Sequence, residues 1–215
     1  HSDSLENHRD FYNGDRFGIN PTVSIALDAD TDLDLSYEYM DHERFIDRGI
    51  PTANGEPVKA LSDIVFGDKD GNLNTVEASV LRAALSHRFS DATKGSLSLT
   101  SSSFEKMYQN TYANSYALDT NVVEMDGYHD PTERDNLILS ASLVNELNFA
   151  NMTHTILTGF ESVKTDNTNK RFNTFWTTKD CAESNYDRES FAVADPIDFS
   201  VNASGEATAV EYTNS

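Results

Sequence analysis

Residues 17–27 read Phe17-Gly-Ile-Asn-Pro-Thr-Val-Ser-Ile-Ala-Leu27, and their alternation decides the fold class. On an extended chain Phe17, Ile19, Val23, Ile25 and Leu27 fall on one face, and Gly18, Asn20, Thr22, Ser24 and Ala26 on the other. One apolar face and one small, polar face predict a β-strand, with Pro21 near its start, where a strand tolerates proline best. After Asp28-Ala-Asp-Thr-Asp32, Leu33, Leu35, Tyr37 and Tyr39 alternate with Asp34, Ser36, Glu38 and Met40, so the two runs read as a hairpin. The pattern returns in Leu81, Ala83, Leu85, His87 and Phe89, then in Leu97 and Leu99. A third pair follows in Leu137, Leu139, Ala141, Leu143 and Leu147, then in the run His154-Thr-Ile-Leu-Thr-Gly-Phe-Glu161. The prediction is an all-β, antiparallel, up-and-down meander of about six strands in three hairpins, spaced by about 60 residues. For one stretch, 76–89, an amphipathic helix is a second reading.

The connections are unequal. Those within hairpins are short, about four to six residues. Those between hairpins, about 48–75 and 113–132, are long and rich in Asp, Asn, Gly and Pro. Residues 1–16 read as a polar loop, 17–165 as the β-barrel segment and 166–215 as a long polar loop or tail. Short turns at one end and long loops at the other are the pattern of a transmembrane β-barrel. Aromatic residues fit two girdles: Phe89 and Phe149 beside the short turns, and Tyr37, Tyr39, Phe104, Tyr108, Tyr112 and Phe160 toward the long loops.

Composition excludes other classes. Lys and Arg number 16 against 36 Asp and Glu, a net charge of −20 over 215 residues. Such a chain repels nucleic acid, and no lysine- or arginine-rich stripe relieves this. No apolar run is long enough for a transmembrane helix. The single cysteine, Cys181, cannot form an internal disulfide, and no CxxC is present. The chain starts at His1, which reads as a processed chain or a fragment.

The run Asp15-Arg-Phe-Gly-Ile-Asn-Pro-Thr-Val23, the Asp-Thr-Asp turn and Leu35-Ser-Tyr-Glu-Tyr39 resemble the barrel of TonB-dependent siderophore receptors. Phe45-Ile-Asp-Arg-Gly-Ile-Pro51 is similar to a signature of the ferric-siderophore branch, and Phe66-Gly67, Leu85-Ser-His-Arg-Phe89 and residues 154–161 follow in the expected order. The resemblance covers about residues 10–175. It implies a receptor in the bacterial outer membrane that imports ferric siderophores, energised through TonB, with no enzymatic activity and no cofactor. It also implies a 22-stranded barrel with an N-terminal plug, so the strands read here form part of a wall and TonB contacts lie in other parts. The implied partners are the ferric siderophore, outer-membrane lipid and TonB; open strand edges predict self-association of the segment alone.

Candidate ligand contacts follow from parity. Phe104, Tyr108 and Tyr112 share parity with Ser98, Thr100 and Ser102, opposite the lipid-facing Leu97 and Leu99. Rings lining a barrel mouth offer large contact area, and tyrosine adds a polar tip. Trp176, Lys106 and Arg171 are further candidates, the cations for an anionic chelate. Residues 68–77, Asp68-Lys-Asp-Gly-Asn-Leu-Asn-Thr-Val-Glu77, resemble a calcium loop aligned on Gly71, but Phe66 at its first position cannot ligate. A polar loop is the better reading there, with weak divalent-cation binding expected somewhere among the acidic loops. The Asp28, Asp30, Asp32 and Asp34 run reads as a solvated turn, Asp41-His-Glu43 as an exposed strand end, and His87 and His154 as ladder positions rather than a shared metal site. No GxSxG or SxxK motif marks a serine hydrolase. Asn151-Met-Thr153 and Asn202-Ala-Ser204 match the glycosylation pattern, which carries little weight in a bacterial protein. The alternatives to a receptor are a soluble secreted β-rich ligand- or calcium-binding module and an esterase on an unusual scaffold.

Overall fold

The computed structural model describes residues 2–6, 9–180 and 182–213; Cys181 lies outside them. The strands are β1 (Ser2–Glu6), β2 (Asn13–Ile19), β3 (Thr22–Ala26), β4 (Thr31–Phe45), β5 (Thr52–Ala53), β6 (Glu56–Pro57), β7 (Leu73–Ser90), β8 (Thr93–Ala117), β9 (Val122–Phe149), β10 (Met152–Asn169), β11 (Phe172–Trp176), β12 (Glu189–Ala192) and β13 (Val210–Thr213). A single 3-10 turn, Lys59–Leu61, is the helical element among the described residues. The main sheet runs β1-β2-β4-β7-β8-β9-β11-β13, with β3 on β4 and β10 and β12 on β9, all antiparallel.

Two prolines divide what are geometrically single strands. Ile19 faces Tyr39 and Thr22 faces Ser36, so β2 and β3 keep one register on β4. Pro21 has no N–H for the ladder, yet its carbonyl accepts from the Tyr37 N–H at 3.1 Å. In the same way β10 and β11 hold one register on β9 across Pro131, whose carbonyl accepts from the Lys170 N–H at 3.1 Å. The result is the predicted three hairpins: β2/β3 with β4, β7 with β8, and β9 with β10/β11. Residues 76–89 are strand, not helix, because their outer positions are matched on both sides by β4 and β8. The turns are tighter than expected: Asp91 and Ala92 join β7 to β8, and Ala150 and Asn151, both with φ above +50°, join β9 to β10 as in a type I′ turn.

Cross-strand partners share a face, so the register sorts every side chain. The row Ile25, Leu33, Leu85, Leu97, Ala141 and Phe160 lies on one face, and so does the row Val23, Leu35, Ala83, Leu99 and Leu139. Leu97, Leu99, Leu137, Leu143, Leu147, Ile156 and Phe160 are all exposed. The opposite face is mostly small and polar, with Ser24, Ser36, Ser86, Ser96, Ser98, Ser140 and Ser142, interrupted by the cross-strand pairs Ile138–Val163 and Val144–Leu157. Ten residue steps from Leu137 to Leu147, at about 3.4 Å each and tilted by about 40°, rise roughly 26 Å, the height of a barrel's apolar band. A sheet this exposed and apolar on one face suits lipid, not water. Phe89 and Phe149 do flank the short turns. At the other end the outward girdle consists of Phe17, Tyr37 and Tyr39; Phe104, Tyr108 and Tyr112 face inward, and Phe160 sits within the band opposite Ala141.

Three loop expectations are corrected. Residues 113–132 are mostly ladder, because β8 and β9 continue as a tall hairpin to Ala117 and Val122. Within 1–16, β1 pairs with β2. The 166–215 region is not a tail: β10 runs to Asn169, and β11, β12 and β13 fold back onto the hairpin. Trp176, Phe191 and Ile197 pack with Val123, Met125, Leu61 and Phe66 into a core. The long connection 46–72 joins that core through Leu61 and Phe66.

Asn72 joins this loop to the wall. Where β7 begins, β8 loses its neighbour, and the wholly buried Asn72 carboxamide replaces a peptide group. Its Nδ2 donates to the Thr111 carbonyl at 2.9 Å and the Ile46 carbonyl at 3.0 Å, and its Oδ1 accepts from the Thr111 N–H at 2.8 Å. A Cβ on Gly67 would lie 2.2 Å from Asn72 Nδ2, so that neighbour must be glycine. Asn72→Ala strands buried donors and acceptors and is expected to destabilise the protein by about 2–3 kcal/mol. Urea unfolding in detergent reads this, and a loss below about 0.5 kcal/mol would remove the ladder-capping role.

A candidate ligand cleft on the inner face

Above the apolar band, β8 and β9 bring three inward tyrosines together. Tyr108 and Tyr128 stack with ring centroids 5.9 Å apart, and Tyr112 meets Tyr128 edge-on at 6.4 Å. Tyr108 and Tyr112 belong together because the only β8–β9 bulge, between Ala113 and Ser115, lies beyond both. Cations bracket the rings: the Arg48 guanidinium lies 4.2 Å from the Tyr112 centroid, and Arg171 lies 4.3 Å from that of Tyr128. Arg48 also donates to Asn110 Oδ1 and to the Tyr128 hydroxyl, each at 3.1 Å. Arg171 is paired with the Asp130 carboxylate. Lys106, Tyr108, Tyr128, Asp130, Thr132 and Arg171 border an open cleft of about 500 Å³. Burial raises the Tyr108 and Tyr112 phenols, which stay protonated and able to donate hydrogen bonds at neutral pH.

The structure separates the candidates. Tyr108, Lys106 and Arg171 line the cleft, and Tyr112 adjoins it through Tyr128. Phe104 is inward but lies further down β8, opposite Ala78 and Arg134. Trp176 is withdrawn from any ligand: it has no exposed surface, packs 5.0 Å from Phe191 and donates its Nε1–H to the Asp187 carbonyl at 3.1 Å. Tyr128 and Arg48 are the residues that sequence reasoning missed. Tyr128 sits in the stretch read as a loop, although its parity with Asp126 and Asp130 on β9 would have placed it inward.

No family model matches the chain. The metal-pseudopaline receptor CntO of Pseudomonas aeruginosa is 26% identical over 160 residues, which cover 71% of this chain and 22% of the receptor. The chain therefore spans about a fifth of the length of the curated relatives it matches. Among solved structures, FpvA of P. aeruginosa bound to heterologous pyoverdines superposes with a TM-score of 0.66 at 13% identity, over 88% of this chain and 23% of FpvA. The fold is that of the TonB-dependent siderophore-receptor barrel. The ferric-catecholate import receptor Fiu of Escherichia coli K12 superposes with a TM-score of 0.64 at 16% identity, over 86% of this chain and 35% of Fiu. The siderophore receptor PiuA from Acinetobacter baumannii gives 0.62 at 16% identity, over 94% of this chain and 31% of PiuA. The ferripyoverdine receptor is a receptor of the outer membrane of P. aeruginosa and Fiu an import receptor, and the exposed apolar band gives this chain the lipid-facing surface of a barrel wall.

The receptor fold also explains the discarded metal motifs. Asp41 and Glu43 project outward and His42 inward, so strand alternation splits the trio. His87 lies in the row of Thr158, three strand spacings across the sheet and four residues along β10 from His154, so the two are roughly 20 Å apart. Residues 68–72 form a turn in which the Asp68 carboxylate accepts from the Asp70 N–H at 3.0 Å, and Glu77 lies on a strand. Among the described residues no group of three or more His, Cys, Asp or Glu converges on a metal site.

His129 provides a pH test of the outward side. Its ring lies 5.5 Å from Phe172 and 5.9 Å from Tyr212, its Nδ1 is buried without a partner, and burial holds its pKa below the ordinary value. The folded protein thus favours neutral imidazole, whereas the unfolded chain charges near pH 6.5. Stability is fully present above that pH and falls as pH drops through it toward the folded pKa. Melting temperature is expected to fall between about pH 7 and pH 5, and His129→Gln to flatten that slope. An unchanged slope in the variant would assign the acid sensitivity elsewhere.

Proposed function

We propose that this chain is part of the wall of a larger outer-membrane receptor that captures a ferric siderophore or related metal chelate and imports it. Other parts of the receptor contact TonB and receive its energy. The observation that carries the reading is the inward Tyr108–Tyr128–Tyr112 cluster flanked by Arg48 and Arg171. It offers ring faces and cations at the mouth of a barrel, and the 26% identity to a metal-pseudopaline receptor supports a metal–chelate ligand. The exposed apolar face argues against the soluble-module alternative, and the receptor relatives argue against the hydrolase. Taken out of the barrel, the segment would self-associate, since every residue of β10 is exposed and β9 pairs with only one of its edges. Weak divalent-cation binding belongs to the same proposal as a diffuse effect of the net charge of −20, with no built site among the described residues.

Tyr108→Ala and Tyr112→Ala, combined in the intact receptor, are expected to weaken chelate binding by about 10- to 100-fold and to slow uptake in iron-limited cells, with barrel abundance unchanged. Unaltered affinity and uptake in a receptor still present at the surface would show that the cleft is not the binding site.

A further inference from the structure

The outer face of the upper sheet is acidic, whereas cations gather on the inner face, where Asp126 and Asp130 are paired with Arg188 and Arg171. On the outer face Asp41, Glu77, Glu105 and Glu133 stand side by side on β4, β7, β8 and β9. The adjacent row, one residue along each strand, faces inward and carries Arg16, His42, Lys106 and Thr132. The next inward row contains Arg44, Asn74, Tyr108 and Asp130. Arg134 is inward on the other side, opposite Phe104. Among the cations within the six long strands, Lys164 alone projects outward, opposite Leu137. Random placement in a chain of net charge −20 would not collect its arginines on one face.

Several of these cations are left available. Asp130 is already paired with Arg171. Lys106 lines the cleft and has no ion-pair partner among the described residues. Arg44, in the row of Tyr108, has a buried Nε without a hydrogen-bond partner, and so does Nδ1 of His42 beside it. Arg44 lies two strands from the cleft-lining Tyr108, about 10 Å away in the same inward row, and its unspent guanidinium donor can serve an acceptor that the protein does not supply. Fixed cations in a concave wall focus the field and raise the local concentration of anions.

We propose that the cleft selects metal chelates by charge, taking an anionic complex in preference to a neutral one of similar size, with Arg44 and Lys106 as the discriminating cations. This rests on the reading that the cleft is the ligand site. Tyr108 and Tyr128 supply contact area that either complex can use. The two cations add an attraction that only the anionic complex feels.

The test compares a ferric tris-catecholate, which is anionic, with a ferric trihydroxamate, which is neutral, on the intact receptor by fluorescence quenching. At low salt the anionic complex is expected to bind at least about tenfold more tightly. At 1 M salt, where the screening length is about 3 Å, most of that preference disappears. Arg44→Gln with Lys106→Gln removes it as well, and an unchanged melting temperature shows that the variant is folded. Equal or tighter binding of the neutral complex, or a preference that survives both charge changes, overturns the proposal. If neither complex binds the unmodified receptor, the ligand-site reading itself falls, and charge selection with it.

Discussion

Leu143→Arg is expected to destabilise the receptor in its bilayer by about 2–4 kcal/mol, whereas Ser142→Arg, one residue away, costs less than about 1 kcal/mol. The two positions differ only in face. Leu143 lies on the outward face opposite Gly95 and Thr158, near the middle of the band that runs from Leu137 to Leu147, and is exposed. In lipid an arginine there must strip its hydration or drag water to the midplane. Ser142 faces inward, where its hydroxyl meets that of Ser96 at 2.7 Å; an arginine there loses one modest hydrogen bond and remains wet. Unfolding in phospholipid vesicles, with the two variants side by side, reads the difference. Equal costs would mean that the outward face does not meet lipid, and the barrel placement would have to be abandoned.

That asymmetry is also why the hairpins could be read from the sequence. Where one face meets lipid and the other a polar interior, a shift of one residue exposes every wrong side chain, so alternation is enforced along the whole strand. Residues 17–27 and 137–147 show it plainly. Above the band both faces are polar or covered by loops, and the constraint relaxes. Residues 113–132 carry Asp, Asn and Gly at ladder positions, held by backbone hydrogen bonds and by the buried pair Val123 and Met125, a pattern too short to identify a strand. Tyr128 was hidden for this reason, and with it the centre of the tyrosine cluster. Arg48 comes from a connection with no periodicity at all. The inward basic face was equally invisible in linear sequence: Arg16, Arg44, Lys106 and Arg134 are far apart along the chain, and only the sheet register assembles them. Parity did place Tyr108 and Tyr112 inward, because their strand continues unbroken from the apolar Leu97 and Leu99.

Trp176 shows where a residue type misleads and how to tell. An isolated tryptophan among polar residues near a barrel mouth suggests a ligand contact. The register instead places it opposite Val210 on β13, and the fold buries it completely against Phe191 and Phe199, with centroids 5.0 and 5.7 Å away. Its neighbours Phe191, Ile197, Phe199 and Val210 are scattered singly through residues 189–213, so the core they form has no local signature. Trp176→Ala removes the largest buried side chain of that core and is expected to cost about 3–5 kcal/mol. Trp176→Phe keeps most of the ring contact but leaves the Asp187 carbonyl without the indole donor, so its cost should be about half as large. A packing residue and a ligand residue then separate cleanly in one pair of measurements. Chemical unfolding of both variants should follow this order, while the affinity of the folded Trp176→Phe receptor for a ferric chelate stays within about twofold of the unmodified protein. A phenylalanine variant with normal stability and a tenfold weaker complex would return Trp176 to the ligand and move the cleft toward β11. The tyrosines would then be its rim, because Tyr128 and Asn173 are cross-strand neighbours and Trp176 lies three residues further along β11.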